Sequence, residues 1–451
     1  MDQNTALLEN VLDRTFFAAW KNQRYKSDNL YTNYRALELQ INANCNLACK
    51  YCYYDKYKKD LYPADIAKPS LVLHNLHILL DWLEYNNLFP EIELFSGEPL
   101  VQPVSFEIID LVLEWYIKNN ISDINIGLPT NSTFILNEDY LQLTEELIDK
   151  AVKNNLRLVL SISDDGKYCS NENRPFKDGT QRDEEFYDKL FKLAKKHCCA
   201  FHPMVYSNGI RLWKDNFLWF QEQFKKYDIP WQSLYLLEVR NVEWTVTQIK
   251  EFYKFIRFVV NWSCDMLLKC GVEKKNIPRS VFEMKLFNLF NMFSRMNRGV
   301  GCSIQSTMQL RLGDLTATLC HRNAYDAYNL FKFKIVNDKI IGVEPLNLGM
   351  MISMYSADAN NFPFCETCSI KNLCNKQCLG SMFEVNKNQF IPIPTVCVLE
   401  HAKTSAILDE LIELGLLSYF YDFTTKKDDI KIYLKYFWGI INGIKGSYKE
   451  Y

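Results

Sequence analysis

Three cysteines lie close together near the N-terminus of this 451-residue chain, at Cys45, Cys49 and Cys52. Their spacing is C-x3-C-x2-C, and Tyr51 directly precedes the last thiol. Thiolates favour iron–sulfur clusters and zinc over hard cations. A four-iron cluster normally takes four thiolates, so a set of three would leave one iron with an open coordination position. The residues therefore indicate a soft metal centre that can bind a further molecule.

A zinc loop is the alternative interpretation of the same thiols. Zinc loops more often pair C-x2-C units with a fourth Cys or His nearby, and no histidine lies between Met1 and Cys52. The loop follows alternating apolar residues at Leu37, Leu39 and Ile41, a pattern that predicts a half-buried strand. We therefore expect the thiols on a loop that leaves the first strand.

This cysteine spacing, with its aromatic residue before the third thiol, resembles the cluster loop of the radical S-adenosylmethionine enzymes. The resemblance implies a [4Fe-4S] cluster whose open iron chelates the amino and carboxylate groups of S-adenosylmethionine. One electron would then cleave a C–S bond, giving methionine and a 5′-deoxyadenosyl radical that takes hydrogen from the substrate. The cofactor carries this chemistry, while the protein binds, orients and excludes competing reactions.

Strand-like and helix-like segments alternate along the chain after residue 35. The predicted strands cover residues 37–41, 91–95, 124–128, 158–163, 201–206 and 234–239, and the predicted helices between them cover 71–88, 106–119, 140–154, 184–197 and 212–227. Strands separated by helices predict βαβ units and a parallel sheet. Six units match the open (β/α)6 partial TIM barrel that the resemblance implies, with the loops after the strands at one mouth.

The segment after the second predicted strand reads Ser96-Gly97-Glu98-Pro99 and is similar to the family's Gly-Gly-Glu-Pro segment. The resemblance implies that its backbone and Glu98 grip the amino group of S-adenosylmethionine, since carboxylate and carbonyl oxygens suit an ammonium. An ordinary turn is the alternative. Ser96 replaces the family's first glycine, so the sequence raises the question of whether a β-carbon fits there.

Two later segments resemble further cofactor contacts of the family. Thr130 and Asn131 lie in a Thr-Asn-Ser segment where the family has Thr-Asn-Gly, and they are expected to contact the cofactor or to cap the next helix. Ser161 and Ser163 share one face of the fourth strand. With Arg174, which can offer a bidentate fork, they would contact the methionyl carboxylate and the ribose. A solvated loop arginine is the alternative for Arg174.

The last predicted strand carries two charged candidates, Glu238 and Arg240, on one face near its end. They are candidate catalytic or substrate-binding residues, or they simply pair with each other. The sequence leaves both readings open.

A second set of seven cysteines occupies the C-terminal region. The set is Cys302, Cys320, Cys365, Cys368, Cys374, Cys378 and Cys397, and the first two flank a predicted hairpin around Gly313-Asp314. Two zinc ions are one reading, because four-cysteine zinc sites are common. The spacing also resembles the SPASM domain, which carries auxiliary iron–sulfur clusters, expected here as two [4Fe-4S] clusters.

The resemblance assigns these thiols to two clusters. Cys365, Cys368, Cys374 and Cys397 would hold the outer auxiliary cluster, and Cys302, Cys320 and Cys378 the inner one. Many relatives place a fourth inner cysteine shortly after the first, and this chain has none there. The inner cluster is therefore expected to have an open iron, which could accept a substrate thiolate, or a ligand from elsewhere such as His321.

The expected domain organisation follows from these segments. It comprises an N-terminal extension (1–34), the partial barrel (35–240), a helical linker (241–300), a small cysteine-rich SPASM domain (301–400) and a helical tail (401–451). The net charge of −2 does not indicate a nucleic-acid groove. No apolar run approaches the roughly 18 residues of a membrane span, and the acidic N-terminus is unlike a signal peptide. We therefore expect a cytoplasmic protein that binds neither nucleic acid nor membrane.

The function implied by the resemblance is that of a radical S-adenosylmethionine peptide maturase. Such an enzyme would abstract hydrogen from a ribosomally synthesised peptide, form a thioether or C–C crosslink, and receive electrons from a donor such as flavodoxin or ferredoxin. An anaerobic sulfatase-maturating enzyme that makes formylglycine is the alternative, although that chemistry needs a carboxylate base and none is evident. A small-molecule dehydrogenase ranks third. A non-catalytic metal-binding scaffold is the alternative from another class.

Overall fold

The computed structural model describes residues 3–22, 36–57, 62–269, 307–323, 325–355, 362–368, 370, 374 and 378–414. The chain divides into two compact units. The first unit comprises residues 1–164, 174–200 and 303–356, and the second comprises 165–173, 201–302 and 357–451. Cys302 and the part of the expected helical tail after residue 414 lie outside the described residues.

The described strands and helices alternate as the sequence predicts. The strands are β1 (Ala36–Gln40), β2 (Glu91–Phe95), β3 (Asn125–Thr130), β4 (Arg157–Ile162), β5 (Ala200–Phe201), β6 (Met204–Val205), β7 (Leu237–Glu238), β8 (Thr307–Arg311), β9 (Thr316–Thr318), β10 (Phe331–Val336) and β11 (Lys339–Pro345). The helices are α1 (Gln3–Leu12), α2 (Ala18–Asn22), α3 (Tyr53–Tyr57), α4 (Pro69–Tyr85), α5 (Pro103–Lys118), α6 (Glu138–Lys153), α7 (Ser170–Asn173), α8 (Glu184–His197), α9 (Trp213–Tyr227), α10 (Val246–Lys269), α11 (Leu348–Tyr355), α12 (Leu379–Asn386) and α13 (Pro394–Glu413).

The first unit is built on one mixed sheet with the strand order β11-β10-β9-β8-β1-β2-β3-β4. The strands from β8 through β4 run parallel, and β8 to β11 form an antiparallel meander. The predicted hairpin around Gly313 is present as β8 and β9. Strand β8 also pairs in parallel with β1, so part of the range expected as a separate domain at 301–400 belongs to the first unit. Alternation identifies a strand, but it does not say which strand will be its neighbour.

The two faces of this sheet differ in polarity because strand side chains alternate. One face carries buried apolar residues such as Leu39, Leu94 and Leu128. The other face carries buried polar residues, among them Glu38 and Gln309, which are paired in register across β1 and β8.

The helices of the first unit begin with recognisable signals. Asn137 accepts a hydrogen bond from the Tyr140 N–H at the start of α6, and Asp183 does the same for Phe186 at the start of α8. Such caps satisfy backbone donors that the first turn leaves unpaired. They explain why the predicted bounds of α8 agree with the observed ones.

In the second unit, the last two predicted strands are parallel neighbours but shorter than expected. The carbonyls of Phe201, Pro203 and Val205 accept hydrogen bonds at 2.7, 3.1 and 3.0 Å. Their donors are the backbone N–H groups of residues 235, 237 and 239 in the neighbouring segment. The strands that form in this region are β5, β6 and β7, each two residues long, and β6 pairs with β7. Pro203 interrupts the ladder because it has no backbone N–H to donate.

Long helices complete the second unit. Helix α10 packs along α13, which begins within the range expected as the SPASM domain and continues into the expected helical tail. Among the described residues, none of the helices has both the length and the apolar character needed to cross a membrane.

Candidate metal and cofactor sites

The three-thiol loop, residues 42–54, is held in place by a neighbouring segment of the first unit. The Ala48 N–H donates to the Pro175 carbonyl at 2.8 Å, and the Lys177 N–H donates to the Asn46 carbonyl at 3.0 Å. The Lys177 ammonium also donates to the Cys45 carbonyl at 3.0 Å. These bonds tie the path of the loop to the chain that follows Arg174. Backbone hydrogen bonds and the Lys177 ammonium therefore fix the path of the loop that carries the thiols.

The thiols of this loop share their surroundings with a buried carboxylate. Burial, followed by the charge of Glu98, raises the pKa of Cys45 to about 12, and Cys49 and Cys52 add to the effect. The amide nitrogen of Asn131 lies 3.8 Å from the Cys45 sulfur. A thiol in such a place holds its proton until a metal displaces it. The donor set is three half-buried sulfurs, which suits a soft cluster with one open iron.

Gly97 allows the segment after β2 to approach this loop closely. A β-carbon at Gly97 would lie 2.3 Å from the Asn44 carbonyl oxygen, so no other residue fits there. The Glu98 N–H donates to the same carbonyl at 2.7 Å. A β-carbon does fit at Ser96, whose buried hydroxyl accepts a hydrogen bond from the Gln102 amide at 2.8 Å.

The Glu98 carboxylate is buried and accepts three hydrogen bonds. Its donors are the Leu100 N–H at 3.0 Å, the Thr130 hydroxyl at 2.8 Å and the Asn131 N–H. Burial raises the pKa of Glu98 to about 7, although all three hydrogen bonds oppose this shift. The result is an oriented acceptor, close to the thiols, that suits a cationic ligand.

The Thr130–Asn131 segment joins the carboxylate to the thiol loop. The Asn131 amide donates to the Asn46 side chain at 3.0 Å, and its oxygen accepts from the Thr133 N–H at 3.0 Å. Asn131 therefore also caps the short turn of helix that follows. Ser132, in place of the family's glycine, has a left-handed φ of 63° and a buried hydroxyl without a hydrogen-bond partner.

The structure brings two further predicted residues to this loop. The Ser163 N–H donates to the Thr130 carbonyl at 2.7 Å. The Arg174 guanidinium lies over the Tyr51 ring, 5.2 Å from its centre, and the Arg174 side chain is buried. Ser161 is placed on β4 opposite Pro129. Arg174 is thus a buried neighbour of the thiol loop, not a solvated loop residue.

The sequence did not indicate that two glutamates, Glu38 and Glu93, lie together on the polar face of the sheet. The Glu38 carboxylate accepts from the His321 backbone N–H at 2.8 Å and lies 3.0 Å from its Nδ1. The His321 ring stacks on Phe95 with centres 4.4 Å apart. Glu93 is opposite Glu38 in register, and burial together with Glu38 raises the pKa of Glu93 to about 7. The alternation of Leu37 and Leu39 with polar residues was the available signal.

A cavity in the second unit gathers the four thiols assigned to the outer cluster. Its lining comprises Phe362, Cys365, Cys368, Ile370, Cys374, Met382, Pro392, Cys397, Glu400 and His401. The thiol-bearing segments 362–374 and α13 therefore meet at one place. In the described part of the chain, no three His, Cys, Asp or Glu side chains are close enough together to hold a single metal ion.

The three thiols assigned to the inner cluster are distributed differently. Cys320 is buried in the first unit, and Cys378 belongs to the second unit. Cys302 lies outside the described residues. The shared ligation of these three thiols therefore stays a prediction.

Glu238 and Arg240 form part of a network of four charges within the second unit. The Arg240 guanidinium binds the Glu238 carboxylate at 2.8 Å, and the Lys403 ammonium approaches the same carboxylate at 3.2 Å. Lys403 also binds Glu400 at 2.6 Å. Glu238 and Arg240 therefore pair with each other, which is one of the two alternatives that the sequence left open. A catalytic role for either residue stays a prediction.

Comparison with family models and with curated proteins finds no match. Several solved structures have a fold similar to that of this chain. anSMEcpe with bound AdoMet has a TM-score of 0.55 at 15% identity, covering 89% of this chain and 98% of that one. Native anSMEcpe with bound AdoMet and Cp18Cys peptide has a TM-score of 0.54 at 17% identity, covering 84% and 99%.

A more distant structure is Streptococcus suis SuiB bound to precursor peptide SuiA, with a TM-score of 0.44 at 12% identity, covering 80% of this chain and 75% of that one. The likeness to anSMEcpe shows the fold class. This chain has a mixed α/β fold with a large parallel sheet, similar to the fold of anSMEcpe. The two anSMEcpe alignments also extend over almost the whole of that protein.

Proposed function

We propose that this protein is a radical S-adenosylmethionine enzyme that modifies a ribosomally synthesised peptide. Its architecture would be an open (β/α)6 partial barrel followed by a SPASM domain. One observation carries the proposal. Gly97 brings the buried, three-fold hydrogen-bonded carboxylate of Glu98 against the backbone of the three-thiol loop. An ordinary turn needs no such carboxylate, whereas a cofactor with an ammonium beside a cluster does.

Each group around the loop has a proposed task. Cys45, Cys49 and Cys52 would hold a [4Fe-4S] cluster, which supplies the electron for reductive cleavage of S-adenosylmethionine when both are bound. Ser96–Pro99, Thr130 and Asn131 would orient the amino group of the cofactor. Ser161, Ser163 and Arg174 would contact its carboxylate and ribose, and the stacking of Arg174 on Tyr51 fixes that guanidinium near the thiols.

The auxiliary clusters are proposed on separate support. The shared cavity of Cys365, Cys368, Cys374 and Cys397 supports the outer cluster. For the inner cluster, Cys302, Cys320 and Cys378 remain the proposed ligands. His321 is a suitable fourth ligand, because ligating histidines commonly have the other ring nitrogen on a carboxylate, as Glu38 provides here. An electron donor such as flavodoxin or ferredoxin would supply the reducing equivalents.

A peptide is the proposed substrate class. Native anSMEcpe is seen with Cp18Cys peptide and with bound AdoMet, and this chain shares that protein's fold. The favoured reaction is formation of a thioether or C–C crosslink. Such a reaction removes two hydrogen atoms from the peptide, one of which the cofactor-derived radical would abstract.

Formylglycine formation is the second candidate because the structure supplies the carboxylate that the sequence did not reveal. Glu93 lies on the polar face of the sheet with its pKa raised to about 7. It lies over Gly127, where a β-carbon would approach the Glu93 side chain to 3.1 Å. A carboxylate titrating near neutral pH suits general base catalysis.

Anaerobic reconstitution followed by reduction with dithionite tests the proposal. The expected result is iron and sulfide in the protein and release of 5′-deoxyadenosine from S-adenosylmethionine. Zinc without cofactor cleavage would favour a metal-binding scaffold instead. With Cys-containing peptides, loss of two hydrogens without an aldehyde supports crosslinking, whereas a hydrazide-reactive aldehyde supports formylglycine formation.

A further inference from the structure

Helix α13 presents a histidine to the thiol cavity of the second unit. Cys397 and His401 are four residues apart on α13, so they share one face of the helix. Both line the cavity together with Cys365, Cys368 and Cys374. The Nε2 atom of His401 lies 3.4 Å from the sulfur of Cys368.

This contact is close enough for an N–H···S hydrogen bond, because sulfur acceptors tolerate longer distances than oxygen. An imidazole can carry its proton on Nε2 and donate it, and a metal-bound thiolate is an acceptor. His401 is held in this place by a helix, while the thiols at Cys365, Cys368 and Cys374 come from a separate segment. The helix therefore sets the approach of the donor to the sulfur.

The carboxylate of Glu400, the residue before His401, pairs with two cationic side chains. Glu400 also lines the cavity, but its carboxylate binds the Lys403 ammonium at 2.6 Å and lies 3.6 Å from the Arg240 guanidinium. Lys403 and Arg240 thus compensate a negative charge that would otherwise repel thiolates. Helix α13 thus brings the imidazole of His401 to hydrogen-bond distance of the Cys368 sulfur.

We propose that His401 is a positioning residue for the outer auxiliary cluster, donating its Nε2–H to the thiolate of Cys368. This inference rests on the proposed function, because it requires a cluster on the four thiols. Reduction adds one electron to the cluster and makes its sulfurs better acceptors, so a donor at Cys368 stabilises the reduced form. Hydrogen bonds to the sulfurs are among the factors that set cluster potentials.

The test uses the full-length chain with Cys45, Cys49 and Cys52 changed to Ala, so that the auxiliary clusters dominate the spectra. In this background, His401→Phe removes the donor and His401→Gln retains an amide N–H at a similar reach. His202→Phe is the matched control, because His202 is a histidine of the same unit that stacks on Tyr235 with ring centres 4.9 Å apart. Iron content and redox titrations followed by electron paramagnetic resonance are measured for each variant.

The expected result is that His401→Phe lowers the ratio of reduced to oxidised outer cluster about tenfold at fixed potential, which corresponds to a shift of about 59 mV for a one-electron couple. His401→Gln should restore most of that ratio, and His202→Phe should leave it unchanged. An equal titration for His401→Phe and its parent would overturn the inference. Absence of iron from the four-thiol site in the parent would overturn it together with the proposed outer cluster, although not the proposed cofactor cleavage.

A second measurement needs no destabilising substitution. In protein labelled with ¹⁵N-histidine, a reduced outer cluster should show a weakly coupled nitrogen and an exchangeable proton from His401. The nitrogen coupling should be lost in His401→Gln, whereas an exchangeable proton should be retained. A strongly coupled nitrogen would identify His401 as a direct iron ligand and overturn the hydrogen-bond assignment. No histidine coupling at all would overturn it too.

Discussion

The two thiol sites of this protein use the same ligand type in different surroundings. The loop of Cys45, Cys49 and Cys52 follows a parallel strand and lies against the polar segments of Glu98 and Asn131. The four-thiol cavity in the second unit has apolar lining residues such as Phe362 and Met382, and the Nε2 atom of His401 lies 3.4 Å from the Cys368 sulfur. Hydrogen-bonded polar groups therefore surround the first set of thiols, whereas apolar side chains and an imidazole border the second.

The difference teaches that the environment, more than the thiols, determines what each site can do. Three sulfurs beside an oriented carboxylate would leave a bound cluster both an open iron and an anchor for a cationic ligand. Four sulfurs bordered by apolar side chains would complete the coordination of a cluster, which suits electron transfer. Exchanging or removing groups at one site should therefore leave the other site's task intact.

The sharpest separation of the two sites comes from one substitution in each. Cys49→Ala should lower 5′-deoxyadenosine release by more than about a hundredfold, since even loss of an outer-shell partner can cost that much in metal affinity or activity. Cys368→Ala should retain cofactor cleavage within about a factor of a few while losing modified peptide. The readout is chromatographic quantification of both products; loss of cleavage in Cys368→Ala would contradict the division of tasks.

The second unit contains a half-buried histidine that makes stability depend on pH. Burial lowers the pKa of His202 from its ordinary 6.5 to about 4. The unfolded chain therefore binds the proton more tightly, and the stabilisation present above pH 6.5 is lost as the pH falls toward 4. At about 1.4 kcal/mol per pKa unit the loss is about 3 kcal/mol. Urea unfolding at several pH values checks this, and His202→Phe should flatten the dependence over that range.

Removal of Lys403 should test whether the second unit depends on its charge network. Lys403→Met leaves Glu238 and Glu400 to share Arg240, so we expect destabilisation by about 3 kcal/mol, as for other broken buried ion pairs. The double variant Lys403→Met/Glu400→Gln should recover part of this loss because one uncompensated charge disappears. Denaturant midpoints provide the measurement. Equal stability of the single variant and the parent would mean that the network contributes nothing.

Each site has a nearby carboxylate, Glu98 at the first and Glu400 at the second, and substitution of the two provides a matched test of cofactor binding. Glu98→Gln should weaken S-adenosylmethionine binding about tenfold to a hundredfold, because hydrogen bonds to charged groups contribute about 1.5–3 kcal/mol. Glu400→Gln, at the four-thiol cavity, should leave that binding unchanged. Calorimetry on reconstituted protein gives both constants, and equal losses in the two variants would remove the distinction between the sites.

The smallest predicted effect concerns the backbone next to the first site. Ser132 has a left-handed φ of 63° and a buried hydroxyl without a hydrogen-bond partner. Ser132→Gly relieves both costs but adds chain entropy to the unfolded state, so we expect a net stabilisation of about 1 kcal/mol. Thermal unfolding measures it, with Ser132→Ala as the control that removes only the hydroxyl. A glycine variant less stable than the alanine variant would contradict this account.

Much of the first site could be predicted because its parts are local. The spacing of Cys45 to Cys52, the alternation before it and the Ser96–Pro99 segment are all short-range patterns, and the structure brings them together through the parallel pairing of β1, β2 and β3. The polar face with Glu38 and Glu93 could not be predicted in the same way, because alternation does not say whether the face opposite the apolar residues is buried. The observed strands β6 and β7 are shorter than the predicted strands 201–206 and 234–239, because Pro203 has no backbone N–H to donate to the ladder.

By itself, the sequence determined which residues could be ligands, where the strands and helices alternate, and that Gly97 and Glu98 follow the second strand. Only the tertiary structure decided that β8 extends the sheet beside β1, that His321 meets Glu38, and that His401 approaches Cys368. The physical reason is the distance along the chain over which each kind of interaction acts. Spacing and alternation act over a few residues, whereas these contacts join segments far apart in the chain, and burial of both partners in a common core selects them.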